Sequence, residues 1–500
     1  MLGVDCSTTA CKAIAWDGRG RAHAEGRAAI ALANPGPDAY EQDAEQWWSA
    51  CGEAIRSAVS ALGEPRRVGA LCITHQRETF VVTDEASRPL YPALVWMDAR
   101  CRDAVKRAVA RAGADRLHAI SGKPPCTTPS LYKLLFLLEE VLPEAARRGL
   151  RLLDVHGFLV WRATGCFATS LASADPLGLV DMRARAWSAE LLALAGLDTS
   201  AVPELCEPGA VIGGLTEDAA RHCGLPSGLP VVAGAGDGQA AGLGAGIVGP
   251  GRAYLNLGTA IVSGVLSNEY AIDRAFRTLY AATPGSFFLE TDLKGGTFTL
   301  SWLAEKWLHA GDVDAALGEL ESRARSLPPG SDGLVLVPYF NAVMNPYWDD
   351  DATGIVVGWH GAHEPVHLYR AILEGIAFEQ RLHSSGVERA SGQTIEEFVV
   401  MGGGSKSALW RQILADTLGK PIVRAANPEA TALGAGMLAA AATGLHPDLA
   451  SAVAAMTATG EVTEPGPLRD AYERLYSEVY VGLYPALESA LSRLTALRLG

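Results

Sequence analysis

The sequence predicts an α/β protein of two large domains facing each other across a cleft. Its 500 residues exceed what one hydrophobic core usually serves, so two lobes are expected. Short strand-like apolar runs alternate with helical stripes in both halves. A strand, a small polar turn and a second strand open the chain, and the same theme returns after Gly249-Pro250-Gly251. That recurrence points to a diverged internal duplication with its boundary near 245–252, dividing the chain into residues 1–248 and 249–500.

The first half begins with strands at 1–4, 11–16 and 21–32, the last two joined by the turn Asp17-Gly18-Arg19-Gly20. Between the first two, Asp5-Cys6-Ser7-Thr8-Thr9 is polar and rich in hydroxyls. A helix is expected over 45–62, with Trp47, Trp48, Cys51, Ile55 and Val59 on one stripe, followed by strand-like runs at 68–74 and 79–83. A buried-type strand at 229–233 runs into the glycine-rich stretch 234–246. The second half reads as strands at 254–257 and 261–266 around Gly258-Thr259, with helices near 299–308, 367–390 and 407–418. A strand at 398–401 ends in Gly402-Gly403-Gly404-Ser405 just before the last of these. Strand, glycine turn, helix leaves unpaired amides at a helix N-terminus, where a phosphate or nucleoside can bind, though an ordinary tight turn uses the same residues.

Composition narrows the function classes. Lys and Arg number 42 against 56 Asp and Glu, a net charge of −14, so the field of the whole protein repels nucleic acid and anionic membrane. The nine cysteines are scattered and never form a C-x-x-C pair, which indicates neither a disulfide framework nor a zinc site and fits a reducing cytoplasm. Asp5 interrupts the first apolar run, unlike a signal peptide, and the Ala/Gly-rich stretch 432–445 is shorter than the roughly 20 residues a membrane helix needs. No membrane insertion is expected. No G-x-x-x-x-G-K-[ST] occurs, because Gly122-Lys123 and Gly419-Lys420 each precede proline. Gly244-Ala-Gly246-Ile-Val-Gly249 matches a dinucleotide fingerprint, but a break and a strand follow where a helix is required.

An anionic ligand must therefore be held by local devices. Ser7-Thr8-Thr9, Gly258-Thr259 and Gly402-Gly403-Gly404 are small-residue turns at which backbone amides and hydroxyls can approach a polyphosphate regardless of net charge. Two of them open the two halves, which describes one nucleotide clamped between two lobes. Lys12, four residues past Thr8, could add a cation. Asp237, beyond an apolar strand and flanked by Gly236 and Gly238, suits a general base for a hydroxyl nucleophile, or else a turn cap. Asp5 would sit near Mg²⁺ at the first phosphate turn. In Gln76-Arg77-Glu78-Thr79, a donor beside an acceptor can grip vicinal hydroxyls of a sugar or polyol, and Trp96 can face its carbon chain; a surface ion pair and a core tryptophan are the alternatives.

Taken in order, these segments resemble the FGGY carbohydrate kinases, a family that includes xylulose and glycerol kinases, over nearly the whole chain. The resemblance rests on 2–9, Tyr40-Glu-Gln-Asp43 with Trp47-Trp48, Gly234-Ala-Gly-Asp237, Gly258-Thr259, 354–358 with 367–374, and 401–411. It implies two ribonuclease-H-like domains of the actin, hexokinase and Hsp70 ATPase type closing on ATP, Mg²⁺ and a sugar. It implies Asp237 as base, Asp5 near the metal, Thr8, Thr9, Lys12, Gly258 and Thr259 at the phosphates, and Gly296, Gly403, Gly404 and Ser407 near the nucleoside. Gln76, Arg77, Glu78, Trp96 and Gln239 are then the acceptor residues, and a homodimer is compatible with it.

On substrate the resemblance divides. Gln76-Arg77-Glu78-Thr79 looks like the glycerol kinase loop. Yet Thr128 stands where glycerol kinases place a tyrosine before Lys133, and Asp237-Gly238-Gln239 replaces their Asp-Gln. A smaller lining favours a longer acceptor, a ketopentose such as xylulose, with glycerol or a tetritol as alternative. An actin-like ATP-binding protein without sugar kinase activity is a reading of another class.

Overall fold

In the computed structural model, which describes residues 1–144, 149–458 and 460–498, the chain builds two large mixed sheets. The first grows from the opening hairpin. Strand Leu2–Cys6 pairs antiparallel with Ala10–Trp16 and parallel with Leu71–His75, and the sheet is completed by Ala22–Ala29 on one side and by Pro230–Val232 and Val211–Gly214 on the other. Its central strands are buried on both faces, as expected where helices cover a parallel core. Helix Ala44–Leu62 covers one face. Asp43 caps its start by accepting from Glu45 N, Gly63 ends it in a left-handed turn at φ 79°, and Trp47, Cys51, Ile55 and Ala58 are buried along it.

The second sheet repeats this order. Strand Arg252–Leu257 pairs antiparallel with Ile261–Ser267 and parallel with Glu397–Met401, with Phe287–Leu293 beyond the former and Ile422–Arg424 and Val462–Thr463 beyond the latter. One extra strand, Arg277–Tyr280, continues the sheet past Phe287–Leu293. In each sheet the first hairpin turn, 7–9 or 258–260, lies where the central strand ends. The expected helix at 299–308 is a helix Thr297–Trp302 that widens into a π-helical turn at Leu303–Trp307.

Helices Asp237–Gly244 and Ala430–Ala442 lie against each other where the lobes meet. The second of these is almost all Ala, Gly and Leu because it is covered on every side. Trp16 Nε1 donates to the Ala432 carbonyl, so this late segment packs on the first sheet. A Cβ added at Gly434 would lie 2.1 Å from the Ala240 carbonyl oxygen, one at Gly244 1.9 Å from that of Ala430, and one at Gly3 2.0 Å from that of Ala432. No helix among the described residues is long and apolar enough to cross a membrane, and all nine cysteines are free.

Backbone oxygen cannot swing aside as a side chain does, so Gly434→Ala must push the two helices apart. A loss of about 1–3 kcal/mol is expected, typical of overpacking. Thermal melts of Gly434→Ala and of Gly444→Ala, where a Cβ meets nothing within 4 Å but φ is 72°, check it: the first should be the more damaging.

Candidate active site

The turn of the first hairpin is closed by Ser7, whose N and Oγ both donate to the Ala10 carbonyl. Thr9 is exposed, while Trp96 Nε1 donates to Thr8 Oγ1 at 3.0 Å and Gln42 Nε2 to the Thr8 carbonyl. Asp5, at the end of the preceding strand, keeps a buried Oδ1 with no hydrogen-bond partner. Burial, and then the charges of Asp237 and Glu429, push its carboxyl up to about 8. A desolvated carboxylate with an open oxygen suits one contact to a hard divalent cation, and no group of three such ligands occurs among the described residues, so the remaining ligands would have to come from water and phosphate.

Asp237 opens its helix and remains 40% exposed at the side chain. Its Oδ1 accepts from Gly238 N at 2.8 Å and stands 3.1 Å from Arg77 Nε. The flanking glycines have a steric reason. A Cβ on Gly236 would lie 2.4 Å from Arg77 Cγ, and one on Gly238 2.9 Å from Arg77 Nη2, so the guanidinium lies across the helix's first turn only because both are absent.

Arg77 and Glu78 do not pair with each other. Arg77 Nη1 donates to both oxygens of Glu290, at 2.9 and 2.8 Å, and Glu78 Oε1 accepts from Arg277 Nη1 at 2.8 Å. Arg277 and Glu290 are direct partners across the second sheet's outer strands, and Arg277 Nε also donates to Glu290 Oε1 at 2.9 Å. Tyr254 Oη completes the set by donating to Glu290 Oε2 at 2.5 Å. Four charges from two lobes thus share one buried network, none of them more than 7% exposed. Burial alone would raise the Glu290 carboxyl, but Arg77 and Arg277 outweigh it and hold it at about 2. Glu78 adopts φ 54°, a left-handed conformation uncommon outside glycine, which aims its side chain at the other lobe under local strain.

A second buried set lies behind the base. Asp175 accepts from Lys123 Nζ at 3.1 Å and from Tyr280 N at 2.8 Å, again joining the lobes; burial, against Lys123, lifts its carboxyl to about 6. On the nucleotide side, Gly296 packs on the second hairpin turn, where an added Cβ would lie 2.6 Å from the Thr259 carbonyl and 2.7 Å from that of Gly258. Gly404 leaves room for Trp410, Gly402 takes φ 81°, and a Cβ on Gly403 would meet nothing within 4 Å.

The structure brings Asp5, Thr8, Trp96, Arg77, Glu78 and Asp237 together, and it gives four other expected site residues partners within the protein. Lys12 is not a free cation, since Glu429 at 2.8 Å and Glu25 at 3.6 Å already meet its charge. Gln76 is buried, its Nε2 donating to Gln42 Oε1 and its Oε1 accepting from Thr79. Gln239 is wholly buried beneath the first turn of its helix, its Nε2 donating to the Ala172 carbonyl and its Oε1 left without a partner. Ser407 caps helix Ala408–Leu418 by accepting from Trp410 N, and its hydroxyl donates to Glu321. Glu290, Arg277, Tyr254, Asp175 and Lys123 were not anticipated. A charge set among the apolar residues of Phe287–Leu293 was the available signal for Glu290.

A protein of two such sheets, each with a small-residue turn where its central strand ends, has the two-domain α/β fold of the actin and hexokinase kind. Residues 1–244 match the N-terminal domain of the FGGY family of carbohydrate kinases, and residues 253–443 match its C-terminal domain. The chain belongs to that family, and it is an ATP-dependent kinase of a sugar or polyol. It is 32% identical to a glycerol kinase of Alkalilimnicola ehrlichii, over 92% of this chain and 93% of the relative. It is 29% identical to the xylulose kinase of Escherichia coli, over 96% and 99%. The crystal structure of xylulose kinase from Rhodospirillum rubrum superposes with a TM-score of 0.90 at 30% identity, covering 98% of this chain and 99% of that one.

Removing the Glu290 charge takes the shared partner from two buried guanidinium groups, leaving Arg77 with Asp237 and Arg277 with Glu78. Glu290→Gln is expected to cost about 3–5 kcal/mol in chemical denaturation, because removing one member of a buried charge set loses more than the set had gained. The pH dependence has a definite sign. A carboxyl held at about 2 contributes fully above its unfolded value of about 4.3, and that contribution fades as pH falls toward 2. The wild-type advantage should therefore be flat near neutrality and shrink only below about pH 4.3.

Proposed function

We propose that the chain phosphorylates a hydroxyl of a ketopentose such as xylulose from MgATP, with Asp237 as general base. The observation that carries the choice of acceptor is Thr128. Its segment lies by the 96–101 stretch that meets the acceptor loop, since Cys101 Sγ donates to the Thr127 carbonyl and Trp96 N to Thr79 Oγ1. A threonine at 128 is smaller than an aromatic ring in the same position. The glycerol reading draws on Gln76-Arg77-Glu78-Thr79 and on the glycerol kinase relatives. The actin-like reading is disfavoured by an acceptor loop that such a protein would not need.

In this reading Asp237 Oδ1 is occupied by Gly238 N and Arg77 Nε, which leaves Oδ2 to take the acceptor proton. Arg77, anchored through Nη1 to Glu290, orients the base; Nη2 of Arg77 and Oε2 of Glu78 remain for acceptor hydroxyls. Trp96, tied to Thr8, sets the acceptor's distance from the first phosphate turn. Amides and hydroxyls of Thr8, Thr9, Gly258 and Thr259 hold the phosphates, while Gly403 is open toward the nucleoside, with Gly404 packed on Trp410 and Gly296 on the second turn beside it. Mg²⁺, when bound near Asp5, neutralises charge on the transferring phosphoryl group. We place the division between the domains at residues 245–252, and closure of the lobes excludes water.

A screen of ADP release over ketopentoses, ketohexoses, tetritols and glycerol tests the proposal. A ketopentose should exceed glycerol in kcat/KM by about tenfold or more, roughly 1.4 kcal/mol of transition-state binding. Glycerol as the best acceptor would replace it. Asp237→Asn should lower kcat by about 10²–10⁴ with little change in nucleotide affinity. Thr128→Tyr should penalise the ketopentose more than glycerol, read as the ratio of the two kcat/KM values.

A further inference from the structure

Where the chain passes from the first sheet to the second, a cavity of about 230 Å³ opens away from Asp237. Gly244 and Ala245 line it at the end of the Asp237–Gly244 helix, Arg252 at the start of a second-sheet strand, Arg424 at the end of strand Ile422–Arg424 with Asn427 just beyond, and Thr457 just past helix Leu449–Met456. Asp237 and the three small turns do not line it. The eight-residue helix puts roughly 10 Å between it and the base.

Its charged lining is entirely cationic. Arg252 and Arg424 contribute to it and no Asp or Glu does, in a chain whose net charge is −14. Arg252 gives Nε to Glu397 and Nη1 to the Gly246 carbonyl. A Cβ on Gly246 would lie 3.6 Å from both Arg252 Nη1 and Thr457 Cγ2, which sets that guanidinium against the Thr457 side of the cavity. Glu397 neutralises Arg252, but the side chain of the half-buried Arg424 has no hydrogen bond or ion pair among the described residues. One positive charge is left over at a concave, partly desolvated place. Guanidinium forks match phosphate oxygens in geometry as well as charge. The volume falls short of the about 300–1,000 Å³ of sites for larger ligands, so a nucleotide is excluded while a small oxyanion fits.

We propose that this cavity binds a small phosphate dianion, either free phosphate or a phosphate ester of a short sugar, at a site separate from the catalytic cleft. Arg424 supplies the unmatched charge, and Nη2 of Arg252 and Nδ2 of Asn427 supply further donors. The site does not depend on which acceptor the kinase phosphorylates.

Isothermal titration tests it on the full-length protein, with the cleft filled by the β,γ-imido analogue of ATP and Mg²⁺. Inorganic phosphate and ribose 5-phosphate are titrated separately, and saturable binding of either one supports the site, the tighter of the two naming the source. Arg424→Ala should weaken that binding at least tenfold. Ala454→Trp, which fills the mouth from an exposed lining position, should do the same, and both variants should keep wild-type kcat/KM without added anion. Absence of binding by both anions, or binding undiminished in both variants, overturns the proposal.

Discussion

The ion network of Arg77, Glu78, Arg277 and Glu290 is the constraint on which the rest of the site depends. Two guanidinium groups and two carboxylates are removed from water together, and Arg77 and Glu78 reach their partners Glu290 and Arg277 only when both sheets are in place. Such charges are costly apart and tolerable only in a closed, hydrogen-bonded set. The network therefore does more than join two lobes. It fixes the Arg77 guanidinium across the start of the Asp237 helix, and this in turn requires glycine at 236 and 238.

The twin sheets explain how a strongly acidic chain can hold a polyphosphate. In each sheet the central strand ends in a short turn of small residues, so two sets of amides and hydroxyls are delivered to the same side of the molecule by the same topology. Such donors are set by backbone geometry and do not depend on net charge. Between the sheets, helices Asp237–Gly244 and Ala430–Ala442 approach so closely that carbonyl oxygens stand where a Cβ would be. Asp237 is thus mounted on an element whose position both lobes define. The anion cavity opens at the far end of that same helix.

Much of this was legible in the sequence. Period-two and helical patterns located the strands around 1–16 and 252–266 and the helices at 44–62, 365–391 and 408–418 to within a few residues, because local sequence encodes burial on one face. Asp5, Thr8, Arg77, Glu78, Gly258 and Asp237 could be singled out because polar or small residues interrupt apolar runs at strand ends.

What the sequence could not decide was partnership. Gln76, Gln239, Lys12 and Ser407 have the same chemistry as ligand-binding side chains, and only the fold turns them toward Gln42, Ala172, Glu429 and Glu321. Arg77 and Glu78 are neighbours in the chain yet take partners more than 190 residues away, Glu290 and Arg277. By itself the sequence determined the duplicated α/β pattern, the turns and the place of Asp237 at a strand end between glycines, since these are encoded within short windows. The charges that hold the base, and the helix of residues 430–442 that packs back on the first sheet, were decided by the tertiary structure alone, because burial and Coulomb partners are properties of space and not of spacing along the chain.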